Sequence, residues 1–432
     1  TLVGTGGPRT LGVQLDNQGL ITLNQPLTLS LASADHTNSG TIDVSAADLT
    51  LTQSGTTPTF TNAGTVTVGT GRTWTITSGT FTQQTGATLN GGGTLSLSSV
   101  AADFQTAFTL GTLNVTGGSA TFATSVSTGV QALNFVNTTI NGPGTITNPV
   151  GQTLNLRGTT FNADLINQGT LITDGSTTVA ATNAFTAPAG STLRLQATGS
   201  TGNSTFTAAP FTNAGVIELT TTVAAYSATL NVSGTGILTN APTGTITTLV
   251  GTGGPRTLGV QLDNQGLITI NQPLTLSRAS AAHVNSGTID ATAADFTLNQ
   301  SGTAPSFTTI STGTLTIGAG RTLTVSSCTC TQGGTLSGGG TLTLTNVTSN
   351  FTNPFTLAAL NVSGGTASFA TNLSTGVQVL TFLNTTINGP GTITNPVGQT
   401  LSLRSVTFNT DLINQGTLIT DGGTTVAATN AF

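Results

Sequence analysis

The segment NAGTVTVGTGRTWTIT, Asn62–Thr77, decides how this chain is read. Its two runs, TVTV and TWTIT, alternate Thr with Val, Trp or Ile. Strict period-2 alternation is the pattern of a half-buried strand, with one face on a core and the other in water. The branched Cβ of Thr, Val and Ile suits the pleat as well. NAG precedes the first run and GTG separates the two, both turn sequences in which Gly is expected to supply positive φ and Asn to tolerate it.

The same grammar extends in both directions. N-x-G followed by alternating apolar residues occurs at Asn17–Gly19, Asn38–Gly40, Asn62–Gly64, Asn167–Gly169 and Asn213–Gly215. G-x-T-apolar-x-apolar occurs at Gly71, Gly151 and Gly190. Glycines at 19, 40, 64, 86 and 111, and again at 144, 169, 190, 215 and 236, suggest a short period of roughly 20–25 residues, the range of a solenoid. No segment keeps a helical period. The expected fold is all-β: a parallel β-helix (β-solenoid), continuous through the chain, with two or three strands per turn. Turns stack at about 4.8 Å. Val, Ile, Leu and Phe point inward; Thr, Ser and Asn point outward. Asn recurring at one corner is expected to form a ladder of side-chain amides, as in cross-β stacks.

A much longer period is superimposed. Thr1–Thr22 returns unchanged as Thr248–Thr269, and Asn137–Leu154 as Asn384–Leu401. Residues 1–247 are thus one unit, of roughly eleven turns, and 248–432 an incomplete second copy. Because the sequence opens inside a repeat, it reads as a piece of a longer array. Differences between copies test the inward assignment. Trp74 corresponds to Leu323 and Phe81 to Cys330, so both sites stay apolar, while Leu31 corresponds to Arg278, which places that position outward or at a corner.

Charge is scarce: 8 Lys+Arg and 13 Asp+Glu in 432 residues, a net charge of -5. All the basic residues are Arg. Globular domains average about 25% charged residues, so no basic patch for nucleic acid is expected. With 36% apolar residues the chain is not compositionally disordered. It has no apolar run long enough for a membrane span.

Little in it suggests catalysis. Asp16, Asp35, Asp43, Asp48, Asp103, Asp164 and Asp174 are scattered through the first unit, and the second has Ala282 for Asp35 and Asn350 for Asp103. A glycosidase needs two carboxyls at a fixed separation with tuned acidities, so these read as solvated corner residues. His36 and His283 are equivalents, one per unit, without Cys or His at ligand spacing, and read as structural or surface groups. Cys328 and Cys330, two apart on a strand, read as small buried apolar residues. No catalytic residue, cofactor site or metal site is assigned, and no enzymatic activity is expected.

The N-x-G-T-[IVL] turns, G-x-T-L-x-L strands and long near-identical repeats resemble bacterial secreted β-solenoid surface proteins. These are the filamentous-haemagglutinin and autotransporter-adhesin type and the giant beta-strand-repeat proteins. The resemblance implies an extracellular or cell-surface fibre whose repeats act as a rigid stalk or filament shaft. Expected partners are further copies of the same solenoid, in the same chain or as end-to-end subunits, with lateral self-association a further mode. Two other readings are a glycan-binding or glycan-cleaving β-helix, for which Trp74 and Tyr226 are the available sugar-stacking rings, and an ice-binding solenoid built on Thr-x-Thr pairs such as Thr65/Thr67 and Thr73/Thr75. Those pairs fall at different phases of the turn.

Overall fold

Alternation over four to five residues, broken by glycine turns, is realised strand by strand in a computed structural model that describes residues 7, 9–427 and 431–432. Every regular element among them is a strand, and the strands stack in parallel as a β-solenoid of about 20 turns. They divide between two compact units. The first runs to Arg194 and takes in Ser204–Ala209; the second comprises Leu195–Asn203 and Pro210–Phe432.

In the first unit one turn consists of strands Thr41–Val44, Leu49–Thr52 and Thr59–Asn62. The next turn supplies Thr65–Val68, Thr73–Thr77 and Thr80–Gln83. Each strand pairs with its equivalent one turn on: Thr41 with Thr65, Leu49 with Trp74, Thr59 with Thr80. A turn therefore has three strands. Two longer strands, Thr94–Phe104 and Thr112–Phe122, run through a corner in one piece. They bend at Ser99 (φ 56) and at Gly117 and Gly118 (φ 67 each).

The second unit repeats this plan. Thr245–Thr248, Arg256–Gly259 and Gln261–Asn264 are overlaid by Leu267–Ile270, Leu274–Leu276 and Ala282–Asn285. Thr341–Phe351 and Ala359–Phe369 reproduce the bent pair, with Asn346 (φ 53) in place of Ser99.

The core of each unit is the inward row of these strands. Trp74 and Phe81 are fully buried, as the alternation requires, and Leu323 and Cys330 are buried in the other copy. Trp74 packs edge-on against Phe60 (5.2 Å between ring centroids) and Phe81 (5.4 Å). Such contacts add to area burial because the positive ring edge meets a negative face. Leu31 is exposed and Arg278 lies at a corner, where its guanidinium donates to the Val232 and Gly259 carbonyls.

One expectation about the turns needs correction. The N-x-G glycines do not adopt positive φ; Gly40, Gly64 and Gly169 are absent from the left-handed set, which falls instead on residues such as Gly71, Gly151 and Gly190. Their constraint is close stacking. A Cβ on Gly40 would stand 2.1 Å from the Gly19 carbonyl oxygen, and one on Gly64 2.1 Å from that of Gly40. Nor do the glycines mark a single corner. Above Gly64 comes Ala87, whose neighbour Thr88 donates to the Gly64 carbonyl, whereas Gly111 stacks over Gly92.

Candidate functional site

The turn asparagines that the sequence singled out converge inside the solenoid. Asn17, Asn38, Asn62, Asn167 and Asn213 are all buried. Each closes a strand just before a tight corner, so its side chain turns inward beneath the equivalent residue of the next turn. In the first unit Asn17 Nδ2 donates to Asn38 Oδ1 (2.6 Å), Asn38 to Asn62 (2.7 Å), and Asn62 to Gln83 Oε1 (2.8 Å). Thr128, Asn148 and Asn167 form a second run. In the second unit Asn213, Asn240, Asn264 and Asn285 make another run of four. The same amide nitrogen also reaches a backbone carbonyl beyond the corner, Asn264 to Thr288 for example. Asn38, Asn62, Asn148, Asn240 and Asn264 thus satisfy a neighbouring side chain and the turn together. A buried carboxamide without partners would cost several kcal/mol.

The glycines of those motifs serve the same corners. Gly169 lies against the Gln152 and Pro149 carbonyls, and Asn213 donates to the Gly215 carbonyl. Gly19 has open space where its Cβ would be.

Both histidines are buried within their units. His283 Nδ1 accepts from the Leu262 amide (3.1 Å), as His36 Nδ1 does from Leu15 (3.0 Å). Each ring must then be neutral at Nδ1 and carry its proton on Nε2. The Gln300 carboxamide lies 2.9 Å from His283 Nε2. Its oxygen has no other donor, so the amide is assigned with oxygen toward the ring. Burial pushes the His283 pKa down to about 4; the Gln300 contact opposes this and Arg278 adds to it. Burial likewise lowers His36, offset in part by Asp35.

The copies differ here for a steric reason. In the first, Gln53 lies over Gly79, where a Cβ would meet Gln53 Oε1 at 2.7 Å. In the second that position is Cys328, and the equivalent Gln300 turns to the histidine instead. Cys328 and Cys330 are buried free thiols, with pKa values pushed up by burial to about 11 and about 12. They are poor nucleophiles and poor ligands in this state.

The carboxylates work as corner clamps. Asp48 accepts from the Thr73 amide of the next turn (3.0 Å), and its counterpart Asp295 from Thr322 (2.9 Å). Asp164 and its counterpart Asp411 accept from Ala184 and Ala431, each at 2.8 Å. Asp16 and Asp35 take hydroxyls from Thr37 and Thr59. Among the described residues no group of three or more His, Cys, Asp or Glu could hold a metal ion.

Of the two candidate sugar-stacking rings, Trp74 is enclosed in the core and cannot meet a ligand. Tyr226 sits half-buried on a loop of the second unit, its ring 3.6 Å from the point a Gly202 Cβ would occupy. The Thr pairs stack in part: Thr59 and Thr61 register with Thr80 and Thr82, but the following turn brings Ala101 and Asp103.

No known protein family, curated protein or solved structure matches this chain.

What the arrangement can do must therefore be argued from its own geometry. One feature of it escaped sequence reasoning. Arg256 is buried without a carboxylate, its guanidinium donating to the carbonyls of Gly254 (2.6 Å), Leu249 (3.2 Å) and Thr252 (3.4 Å). Burial lowers its pKa. Three carbonyls of one loop substitute for water around the two terminal nitrogens, while Nε has no partner, and the interior thus holds an arginine that alternation alone would place outside. The only signal was the lengthened spacing after Thr248, which leaves room for such a loop.

Proposed function

We propose that the chain is a structural repeat segment of an extracellular or cell-surface fibre, a rigid spacer or filament shaft of the bacterial β-solenoid adhesin type, and not an enzyme. One observation carries the reading. Within each unit the polar side chains are spent on joining one turn to the next: amide to amide, carboxylate to amide nitrogen, hydroxyl to carboxylate. A solenoid built this way gains stability as a sum of neighbouring-turn interfaces. Length can then grow by duplicating a whole unit with little change, as the two copies exemplify. Lysine-free, weakly charged turns offer trypsin few sites, which suits an exposed location.

The test is to image purified chains carrying zero, one or two extra 247-residue units. Each unit should add roughly 50 Å of length, from about eleven turns at about 4.8 Å, and antibody to the repeat should label intact cells. Particles that fail to lengthen, or antigen found only inside cells, would refute the spacer role.

A further inference from the structure

The corner that follows the two long bent strands of the first unit holds a cavity of ≈ 240 Å³. Residues between Ala107 and Thr109 line it from one turn, and residues between Thr124 and Gln131 from the next. None of the lining residues is charged. Its aromatic wall is Phe108, which is half-buried and stacks on Phe104 at 4.6 Å between ring centroids. Val130 stands 62% exposed at the rim.

Three polar side chains of this corner have their oxygens engaged by the fold. Ser125 Oγ accepts from Thr145 Oγ1 (2.9 Å), Ser127 Oγ from the Gly129 amide (3.1 Å), and Gln131 Oε1 from the Leu110 amide (3.1 Å). Each then has donor capacity left over: the two serine O–H groups and the Gln131 Nε2. The Leu110 contact also fixes which end of the carboxamide is oxygen. Gln131 is only 4% exposed, and its Nε2 hydrogen-bonds to no described residue. A side chain buried that deeply with an idle donor is poised for an incoming acceptor.

We propose that this corner binds the terminal pyranose ring of a neutral glycan. The C–H face of the sugar lies on Phe108, and its ring and hydroxyl oxygens accept from Ser125, Ser127 and Gln131. An anion is disfavoured, because the lining offers no cation and the face of an aromatic ring is negative. A wholly apolar ligand would cover three donors without pairing them. The volume falls below the range of about 300–1,000 Å³ that suits a drug-sized ligand, so it takes one ring and leaves the rest of the glycan in solvent. The second unit has Pro354, Asn372 and Leu373 where the first has Ala107, Ser125 and Val126, and its Phe355 is buried. Binding is therefore assigned to the first copy. This assignment goes beyond the spacer reading and stands without it.

The experiment titrates the 432-residue chain with the methyl pyranosides of glucose, galactose, mannose and N-acetylglucosamine, read by saturation-transfer NMR. The methyl group stands for the remainder of a glycan. The expected result is saturable binding of at least one of them, with the strongest transfer to the C–H protons of one ring face. Two variants locate it. Phe108→Ala removes the aromatic wall; the triple exchange Ala107→Pro, Ser125→Asn and Val126→Leu installs residues that the second copy already folds with. Each should weaken binding at least about tenfold, or about 1.4 kcal/mol. Cyclohexanol, a ring of similar size with one hydroxyl, should bind at least about tenfold more weakly than the best sugar. Failure of all four sugars to saturate, undiminished binding by the triple variant, or equal binding of cyclohexanol would overturn the proposal.

Discussion

Replacing Asn264 by leucine, which has the same branched set of side-chain heavy atoms but no polar group, tests whether the amide ladder holds the turns together or merely occupies their corner. Asn264 is fully buried in the second unit. It accepts from Asn240 Nδ2 (2.8 Å) and donates to Asn285 Oδ1 (2.7 Å) and the Thr288 carbonyl (3.3 Å). Each hydrogen bond is worth about 1 kcal/mol net, so the direct loss is about 3 kcal/mol. The neighbours differ in what they retain. Asn240 Nδ2 still reaches the Leu267 carbonyl, whereas Asn285 Oδ1 loses its ladder donor. A stranded buried acceptor costs about 1–3 kcal/mol. The expected destabilisation is therefore about 4–6 kcal/mol, and it should be local, since a solenoid turn contacts chiefly its neighbours. Hydrogen exchange on the full chain reads it directly. Amides of Gln261–Ile270 and Ala282–Ala291 should lose about three to four decades of protection, while those of Thr41–Gln83 stay unchanged. If the Asn264→Leu chain protects these amides as well as the wild type does, the ladder contributes nothing beyond its volume.

Three further outcomes follow from particular groups. His283 is neutral when folded, with its pKa depressed to about 4 from 6.5; the stability it contributes is fully present above pH 6.5 and lost as pH falls toward 4, about 2 kcal/mol having gone by pH 5. Urea denaturation of wild type against His283→Gln should show that difference closing between neutral pH and pH 5, and a ring titrating near 6.5 by NMR would contradict the burial. Gly40→Ala drives a Cβ into the Gly19 carbonyl and should cost about 1–3 kcal/mol or more, whereas Gly19→Ala, which meets nothing within 4 Å, should stay within about 0.5 kcal/mol; equal melting shifts would refute the stacking argument. With Cys328 at a pKa of about 11, roughly a thousandth of that thiol is ionised at pH 8, so a disulfide reagent should modify it at unfolding-limited rates, and fast native labelling would disprove the burial.

Alternation made the inward and outward rows legible because a strand offers no third choice of direction. Trp74, Phe81 and Cys330 were placeable from that alone, and Leu31 and Arg278 from the fact that only a corner tolerates their exchange. The asparagine ladder was readable for a related reason: an amide that returns at each turn can be satisfied by its own copies. What escaped reading depends on contacts between turns at unequal sequence separations. Gly86 and Gly64 look equivalent in spacing, yet Ala87 covers Gly64, because corners absorb extra residues without disturbing strand register. The role of the N-x-G glycines was misjudged likewise. A sequence shows that a residue lacks Cβ, but whether φ or a neighbouring carbonyl demands it is settled only when the next turn is laid over it. Arg256 was unreadable because its partners are backbone carbonyls, which every sequence supplies.

The scarcity of charge follows from the same register. In a parallel stack each outward residue has a near copy of itself about 4.8 Å above and below, so a charge that recurred with the period would repel its neighbours along the whole column. Asp43 lies between Thr22 and Thr67, Asp103 between Thr82 and Thr121, and Asp290 between Thr269 and Thr316. Where charges do oppose, they are of opposite sign: Arg157 registers with Asp174 and Arg404 with Asp421, the latter pair 3.5 Å apart and well exposed. An exposed pair contributes little stability, so its value lies in avoiding repulsion. Threonine resolves the problem generally, since a hydroxyl can donate to the turn below and accept from the turn above. The composition is thus a consequence of periodic stacking, and a Thr-to-Asp exchange should cost most where the register already holds an aspartate next door.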